Sequence, residues 1–295
     1  MNAFLLFSQQ AVDQLFKLMK RLYVMRMLAK IVIFSIFTNM CFASELQTNN
    51  LEDVKSLLDK EADQETLVIF DVDDVLIAPT DEFAFREPIR RKFNKELKSK
   101  YTEQERKILF SDFFRKRMVR LITPKIIPLL DDLKNKQVPA TALTCWYTGR
   151  YGSIEFMEEL RFKGLDEVGI SFVNISPLKH DRAFPLLKTK DGIPMVKNGI
   201  ILTAFADKGT TLLTVLDKEK LYFKKIIFID DDLDQIESVK KACNKLGVNF
   251  IGIHYTEAKL IPLPKLNEEM ENLRFEILQK DHIWLSDKEL EKRKK

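Results

Sequence analysis

The chain has 295 residues, 45% hydrophobic and 31% charged, with three cysteines and a formal net charge of +4. That composition gives one large or two modest domains with a packed core; it excludes a disordered chain and a disulfide-built scaffold. Non-specific nucleic-acid binding by the body is excluded too, because residues 1–43 carry Lys17, Lys20, Arg21, Arg26 and Lys30 against Asp13, which leaves 44–295 formally neutral.

The first element is a leader. "MRMLAKIVIFSIFTNMCFAS" (25–44) has a basic start, an apolar run from Ile31 to Phe37, and Cys41 and Ala43 at the small-residue positions of a secretory cleavage site. The run is far shorter than the roughly 20 residues that span a bilayer, so no stable membrane span is expected. Residues 1–43 are therefore expected to be a signal segment, with Met1, Met25 or Met27 as its start. The mature chain 44–295 then begins at Ser44 and is periplasmic or secreted. A lipoprotein reading through Cys41 is weaker, since Asn39 and Met40 stand where small residues are wanted.

"ELQTNNLEDVKSLLDKEADQE" reads as a polar lead-in and a short helix with Leu51, Val54, Leu57 and Leu58 on one face. Residues 66–70 form an all-apolar strand. The charged, periodic segments 86–101 and 102–122 predict amphipathic helices, and a further helix runs from the Pro124–Pro128 region to before Gln137. A second strand, 138–144, is followed by "CWYTGRYGS", and Ser153 is a candidate cap for a helix to about Lys163. Short β-like runs fill 169–205. Lys208 opens a helix to about Leu221, "KKIIFIDDD" is a strand, 236–246 is helical, "NFIGIHY" is a strand, and 265–295 is a charged helical tail anchored by Trp284. Helices alternating with all-apolar strands predict a doubly wound, Rossmann-like parallel sheet.

Ligands of such a sheet sit at the carboxyl ends of its strands. Asp71, Asp73 and Asp74 crowd the end of the first strand, Thr144 ends the second, and Asp230 and Asp231 end the third, with Lys208 opening a helix between the last two. Clustered carboxylates are costly to bury uncompensated. Two acidic clusters, a lysine and a hydroxyl describe a site for a phosphoryl group and a hard divalent cation, Mg²⁺.

These residues resemble the motifs of the haloacid dehalogenase-like (HAD) superfamily. "VIFDVDDVL" matches its first motif, "ATALT" looks like its second, "AFADKGTTL" is similar to its third and "IIFIDDDLDQI" to its fourth, in family order across 68–234. With the leader and "WLSD" near the end, the chain most resembles a group of secreted bacterial HAD-like proteins. The resemblance implies a HAD-type fold with a small helical cap insertion at 77–137 and a β-hairpin-like excursion at 165–205. It implies Asp71 as nucleophile, Asp73 as acid and base, Thr144 as a donor to a phosphoryl oxygen and Lys208 as the charge neutraliser. The magnesium ligands would be Asp71, the Asp73 backbone carbonyl and Asp230, with Asp231 or Asp234 supporting. An acid at 73, where the ion-pumping branch has Thr, implies a phosphoric monoester hydrolase acting on a phosphorylated substrate. The alternatives are a phosphotransferase or phosphomutase, and a catalytically silent secreted binding protein.

Each residue has a plainer role to set beside this. Thr144 also suits an ordinary strand end, Lys197 competes with Lys208 but falls in a hairpin-like run, and Asp232 is better read as a helix cap. Arg150 is a candidate substrate-binding residue, with Trp146 or Tyr147 stacking on an organic leaving group; the same stretch also serves as a simple turn around Gly149 and Gly152. Cys145 and Cys243 read as buried small hydrophobes, with one bridge open to them, and His180, His254 and His282 as structural.

Overall fold

The computed structural model describes residues 43–80, 87–262 and 267–293, all within one compact unit that begins at Ala43. The leader expected before Ala43 lies outside the described residues. The amino-terminal half runs β1 (Ala43–Thr48), α1 (Leu51–Glu61), β2 (Thr66–Phe70), β3 (Ile77–Pro79), α2 (Glu87–Lys100), α3 (Glu103–Lys116), β4 (Val119–Leu121) and α4 (Ile126–Asn135). Then come β5 (Ala140–Thr144), α5 (Met157–Glu167), β6 (Arg182–Ala183), β7 (Met195–Lys197) and β8 (Ile200–Leu202). The chain continues through α6 (Lys208–Glu219), β9 (Lys225–Asp230), α7 (Leu233–Leu246), β10 (Asn249–Tyr255), α8 (Glu268–Asp281) and α9 (Asp287–Arg293).

The architecture is α/β. Among the described residues an eight-stranded sheet has the order β1-β10-β9-β2-β5-β8-β7-β6. Strands β1 to β8 of that order are parallel, and β7 and β6 finish one edge antiparallel. The all-apolar strands follow from burial on both faces. Val68 and Phe70 of β2, with Ile227 and Ile229 of β9, pack in one core with side chains of α1, α4 and α5. Leu67, Ile69, Ile226 and Phe228 alternate into a second core with α6 and α7.

Four sequence expectations are corrected. Residues 43–48 are not a lead-in but an edge strand, parallel to β10; Glu45 and Gln47 face solvent there, so no apolar run marks it. Residues 165–205 do hold an antiparallel hairpin, β7 with β8, but β8 also extends the parallel sheet beside β5 with Ala142 opposite Ile200, and the β-like run 170–175 is loop and turns. The helix after β5 starts at Met157 rather than from a Ser153 cap; Phe156 precedes it and gives no side-chain cap. Ser153 instead accepts a hydrogen bond from Arg115, at 2.8 Å.

The fourth correction concerns the insert. β3 and β4 form a two-stranded antiparallel stem with α2 and α3 between them. α4, however, buries Ile126, Leu129, Leu130 and Leu133 in the sheet core, so the insertion spans 77–121 rather than 77–137. The carboxyl-terminal helices are more than a charged tail. Phe275, Leu278 and Trp284 share a core with Phe93, Leu97 and Leu109 of the insert, with Phe93 stacked on Phe275 at 4.0 Å. Among the described residues no helix is long and apolar enough to cross a membrane.

Candidate active site

β2 and β9 are neighbours, with Phe70 opposite Ile229, and the Asp71 amide continues the ladder by donating to the Ile229 carbonyl at 2.8 Å. Asp71 and Asp230 therefore emerge side by side, both buried. Asp71, Asp230 and Asp231 each offer a carboxylate oxygen, all within 4.8 Å of one another.

Lys208 answers this charge. Its ammonium lies 2.8 Å from Asp71 Oδ1 and 2.7 Å from Asp230 Oδ2, and the side chain is only 2% exposed. Local chemistry puts it there. Asp207 caps α6 by accepting from the Thr210 amide at 2.7 Å, and the Gly209 amide donates to Ser238 Oγ of α7 at 2.9 Å. A Cβ at Gly209 would lie 2.3 Å from the Ser238 carbonyl oxygen, so only glycine lets α6 start this close to α7.

Burial, opposed only in part by Lys208, raises Asp71 above the usual carboxylate range. Burial and the neighbouring Asp71 charge push Asp230 up to about 7; burial, Asp71 and Asp74 push Asp231 up to about 7. For Lys208, burial opposes the charge, but Asp71 and Asp230 outweigh it and raise the ammonium above its ordinary value. The cluster is thus short of positive charge. Thr144, at the end of β5 on the same edge, is buried, and its hydroxyl has no hydrogen-bond partner among the described residues. Such an orphan donor is costly unless a ligand engages it.

Asp73 is not the unencumbered acid that the motif implied. Arg117 Nη2 donates to its Oδ1 at 2.6 Å, Arg161 Nη1 to the same oxygen at 3.2 Å, and Arg161 Nη2 to Oδ2. Burial pushes Asp73 up, but Arg161 and Arg117 together hold it well below the usual carboxylate range. Arg161 is buried, its guanidinium 3.9 Å from the Trp146 ring centroid, and the indole N–H donates to the Met157 carbonyl at 2.8 Å. The sequence reading missed both arginines. Nothing near either one signals the pairing.

Other candidates separate from this centre. Arg150 is exposed and lines a different cavity with Lys107, Lys188 and Lys190. Asp234 is exposed in the first turn of α7, outside the carboxylate trio that includes Asp231. Asp232 caps α7, accepting from the Asp234 amide at 2.8 Å. His254 Nε2 lies 3.1 Å from the Asp231 carbonyl oxygen and props that turn. Cys145 and Cys243 do not bridge each other. Three non-glycine residues beside the centre hold positive φ, Asp74 at 61°, Ala204 at 48° and Phe205 at 59°, a conformation costing roughly 1–2 kcal/mol per residue. Backbone strain of this kind gathers at functional sites.

Residues 47–291 match the model of a family described as "Protein of unknown function (DUF2608)". A relative from Rickettsia bellii (strain RML369-C), printed as "Uncharacterized protein", is 23% identical over 242 residues, covering 76% of this chain and 81% of the relative. No solved structure matches the chain.

Proposed function

The chain belongs to the DUF2608 family, and on its acidic edge we propose a Mg²⁺-dependent phosphatase of the HAD type, hydrolysing phosphomonoesters through an aspartyl-phosphate. One observation carries the reading: Asp71, Asp230 and Asp231 bring oxygens within 4.8 Å at the carboxyl ends of adjacent parallel strands, with Lys208 between two of them. Three carboxylates and no softer donor suit a hard divalent cation, and a cluster short of positive charge suits it further. Asp71, Asp230 and Asp231 would hold it. When bound, magnesium neutralises charge on the phosphoryl oxygens.

The residues divide the rest of the work. Asp71 attacks phosphorus, its oxygen forming the new P–O bond as the bond to the leaving oxygen breaks. Water then attacks phosphorus and releases Asp71 and phosphate. The orphan Thr144 hydroxyl donates to a phosphoryl oxygen, and Lys208 offsets charge that builds there. Asp73, held ionised between two arginines, is a weak base there and takes up or gives a proton only when that clamp loosens. Magnesium-dependent release of phosphate from a panel of phosphomonoesters, abolished by chelation, is the test; a folded protein that turns over none of them ends the reading.

The clamp is also the observation that favours the rival, a silent binding protein in which Asp73 is structural. Asp73→Asn separates them. It leaves Arg161 buried beside a neutral amide, so the melting temperature falls in either case. Only an enzyme also loses about 10²–10⁴-fold in kcat for poor leaving groups, and less for activated aryl phosphates that depart without a proton. Acceptor alcohols in the same assay distinguish a phosphotransferase or mutase from a hydrolase.

An exported location goes with this proposal. Mass spectrometry of the protein from its native host should find a mature amino terminus at Ser44; residues 25–40 intact on soluble cytoplasmic protein would refute it.

A further inference from the structure

We propose that the cavity beside Asp73 holds the planar ring of the substrate's leaving group, so that the substrates are small phosphomonoesters of ring-bearing alcohols. This rests on the phosphatase reading. The cavity has a volume of about 570 Å³, within the roughly 300–1,000 Å³ typical of small-molecule sites. Asp73, Arg117 and Cys145 are in its lining; Asp73 stands two residues from Asp71 and bears on its charge, and the Cys145 thiol feels Asp71, Asp230 and Lys208. The rest of the lining is mostly aromatic, together with Asp74, Pro79, Arg91 and Asn94. Phe110, Phe113 and Phe114 come from α3 of the insert, and Trp146, Tyr147 and Phe205 from the loops after β5 and β8. A ligand with its phosphoryl group at Asp71 would run its alcohol portion between these two walls.

Ring geometry supplies the second argument. Phe114 meets Trp146 at 87° and Tyr147 at 72°, and Tyr147 meets Phe205 at 60°. None of these three pairs stacks flat; the half-buried Tyr147 and the exposed Phe205 present ring surface to the cavity, whereas Trp146 is buried under the Arg161 guanidinium. In the closed core between insert and tail, Phe93 and Phe275 lie parallel at 7°. Phe205 adds a third argument. It is 47% exposed on a backbone at φ 59°, directly after Ala204 at 48°. A large apolar ring held in solvent on two consecutive left-handed residues gains nothing for the core and much for a ligand that covers it.

The test uses the full chain with Mg²⁺ and three substrates: adenosine 5′-monophosphate, phenyl phosphate and glycerol 3-phosphate. Both ring-bearing esters should exceed glycerol 3-phosphate in kcat/KM. Preference for the nucleotide assigns the larger ring-bearing alcohols, and preference for phenyl phosphate assigns aryl esters. Phe205→Gly, which also relieves the backbone, and Tyr147→Leu should each cut the ring-to-glycerol ratio of kcat/KM by roughly 5- to 100-fold, the value of one lost stacking face. A ratio at or below one in the unsubstituted protein, or a ratio that neither variant moves, overturns the proposal. A separate arm needs no chemistry: adenosine alone should quench the tryptophan emission, Trp146 being in the cavity wall and Trp284 in the insert core. If no ester is hydrolysed, the phosphatase reading falls, and quenching by adenosine, weakened in both variants, still decides whether the cavity takes a ring.

Discussion

Asp71→Asn is expected to bring magnesium-dependent phosphate release to background, a loss of at least about 10⁴-fold. The amide has the carboxylate's shape, so the backbone bond from residue 71 to the Ile229 carbonyl and the packing around it are kept. It lacks the charge and the lone-pair reactivity that attack on phosphorus requires. Folding should not suffer, because Lys208 keeps Asp230 as a partner at 2.7 Å and one of three crowded acids has been neutralised. The melting temperature is therefore expected near or above that of the unsubstituted protein, which separates lost chemistry from lost structure. Beryllium fluoride with Mg²⁺ should bind the unsubstituted protein as a mimic of phosphorylated Asp71 and should leave the variant unaffected. A variant that still releases phosphate at the original metal-dependent rate refutes Asp71 as the nucleophile.

Lys208→Met is expected to cost more in stability than any other single change at this site. The side chain is 2% exposed and pairs with two buried carboxylates, and removing one partner of a buried ion pair costs about 3–5 kcal/mol. For a body of this size that lowers the melting temperature by roughly 6–20 °C. The effect carries a pH signature. Burial and neighbouring charge push Asp230 and Asp231 up to about 7 in the folded chain, against an ordinary value of 3.8. Between those values the folded state binds more protons than the unfolded one, so stability falls as pH rises through about 7. The deficit of Lys208→Met should accordingly be larger at pH 8 than at pH 5, as the trio ionises with no ammonium beside it. Millimolar Mg²⁺ at pH 8 should restore part of it by binding the folded state. A variant that melts with the original protein at pH 8 would mean that Lys208 is not the counter-charge of these acids.

The core strands were legible because their cause is local. Leu67–Phe70 of β2 and Ile226–Ile229 of β9 are apolar throughout since both faces are covered, and an aspartate follows each run directly. Reading those two runs places Asp71 and Asp230 at one edge of a sheet without knowledge of any contact. Lys208 was legible for a similar reason: Asp207, Lys208 and Gly209 spell a helix start, and a helix after a parallel strand begins at the edge where that strand ends. Arg150 misled, because a basic residue in a glycine turn looks equally well placed for a neighbouring cavity, and that is where it lies.

Pairings made across long distances in the chain were not legible. Arg117 and Arg161 reach Asp73 from 44 and 88 positions away, from segments whose own pattern reads as charged helix surface. They convert the expected acid into a clamped carboxylate. The edge strand β1 gains its hydrogen bonds from β10, about two hundred residues on, so its own side chains carry no signal. The tail helices bury Trp284 and Phe275 against α2 and α3, and only the folded chain presents that surface. By itself the sequence determined which strands are buried, where they end and which acids and lysine stand at those ends, because burial periodicity and helix starts act within a few residues. Tertiary structure alone decided which charges pair, how far the insert extends and which rings enclose the cavity, because those contacts exist only once distant segments are brought together.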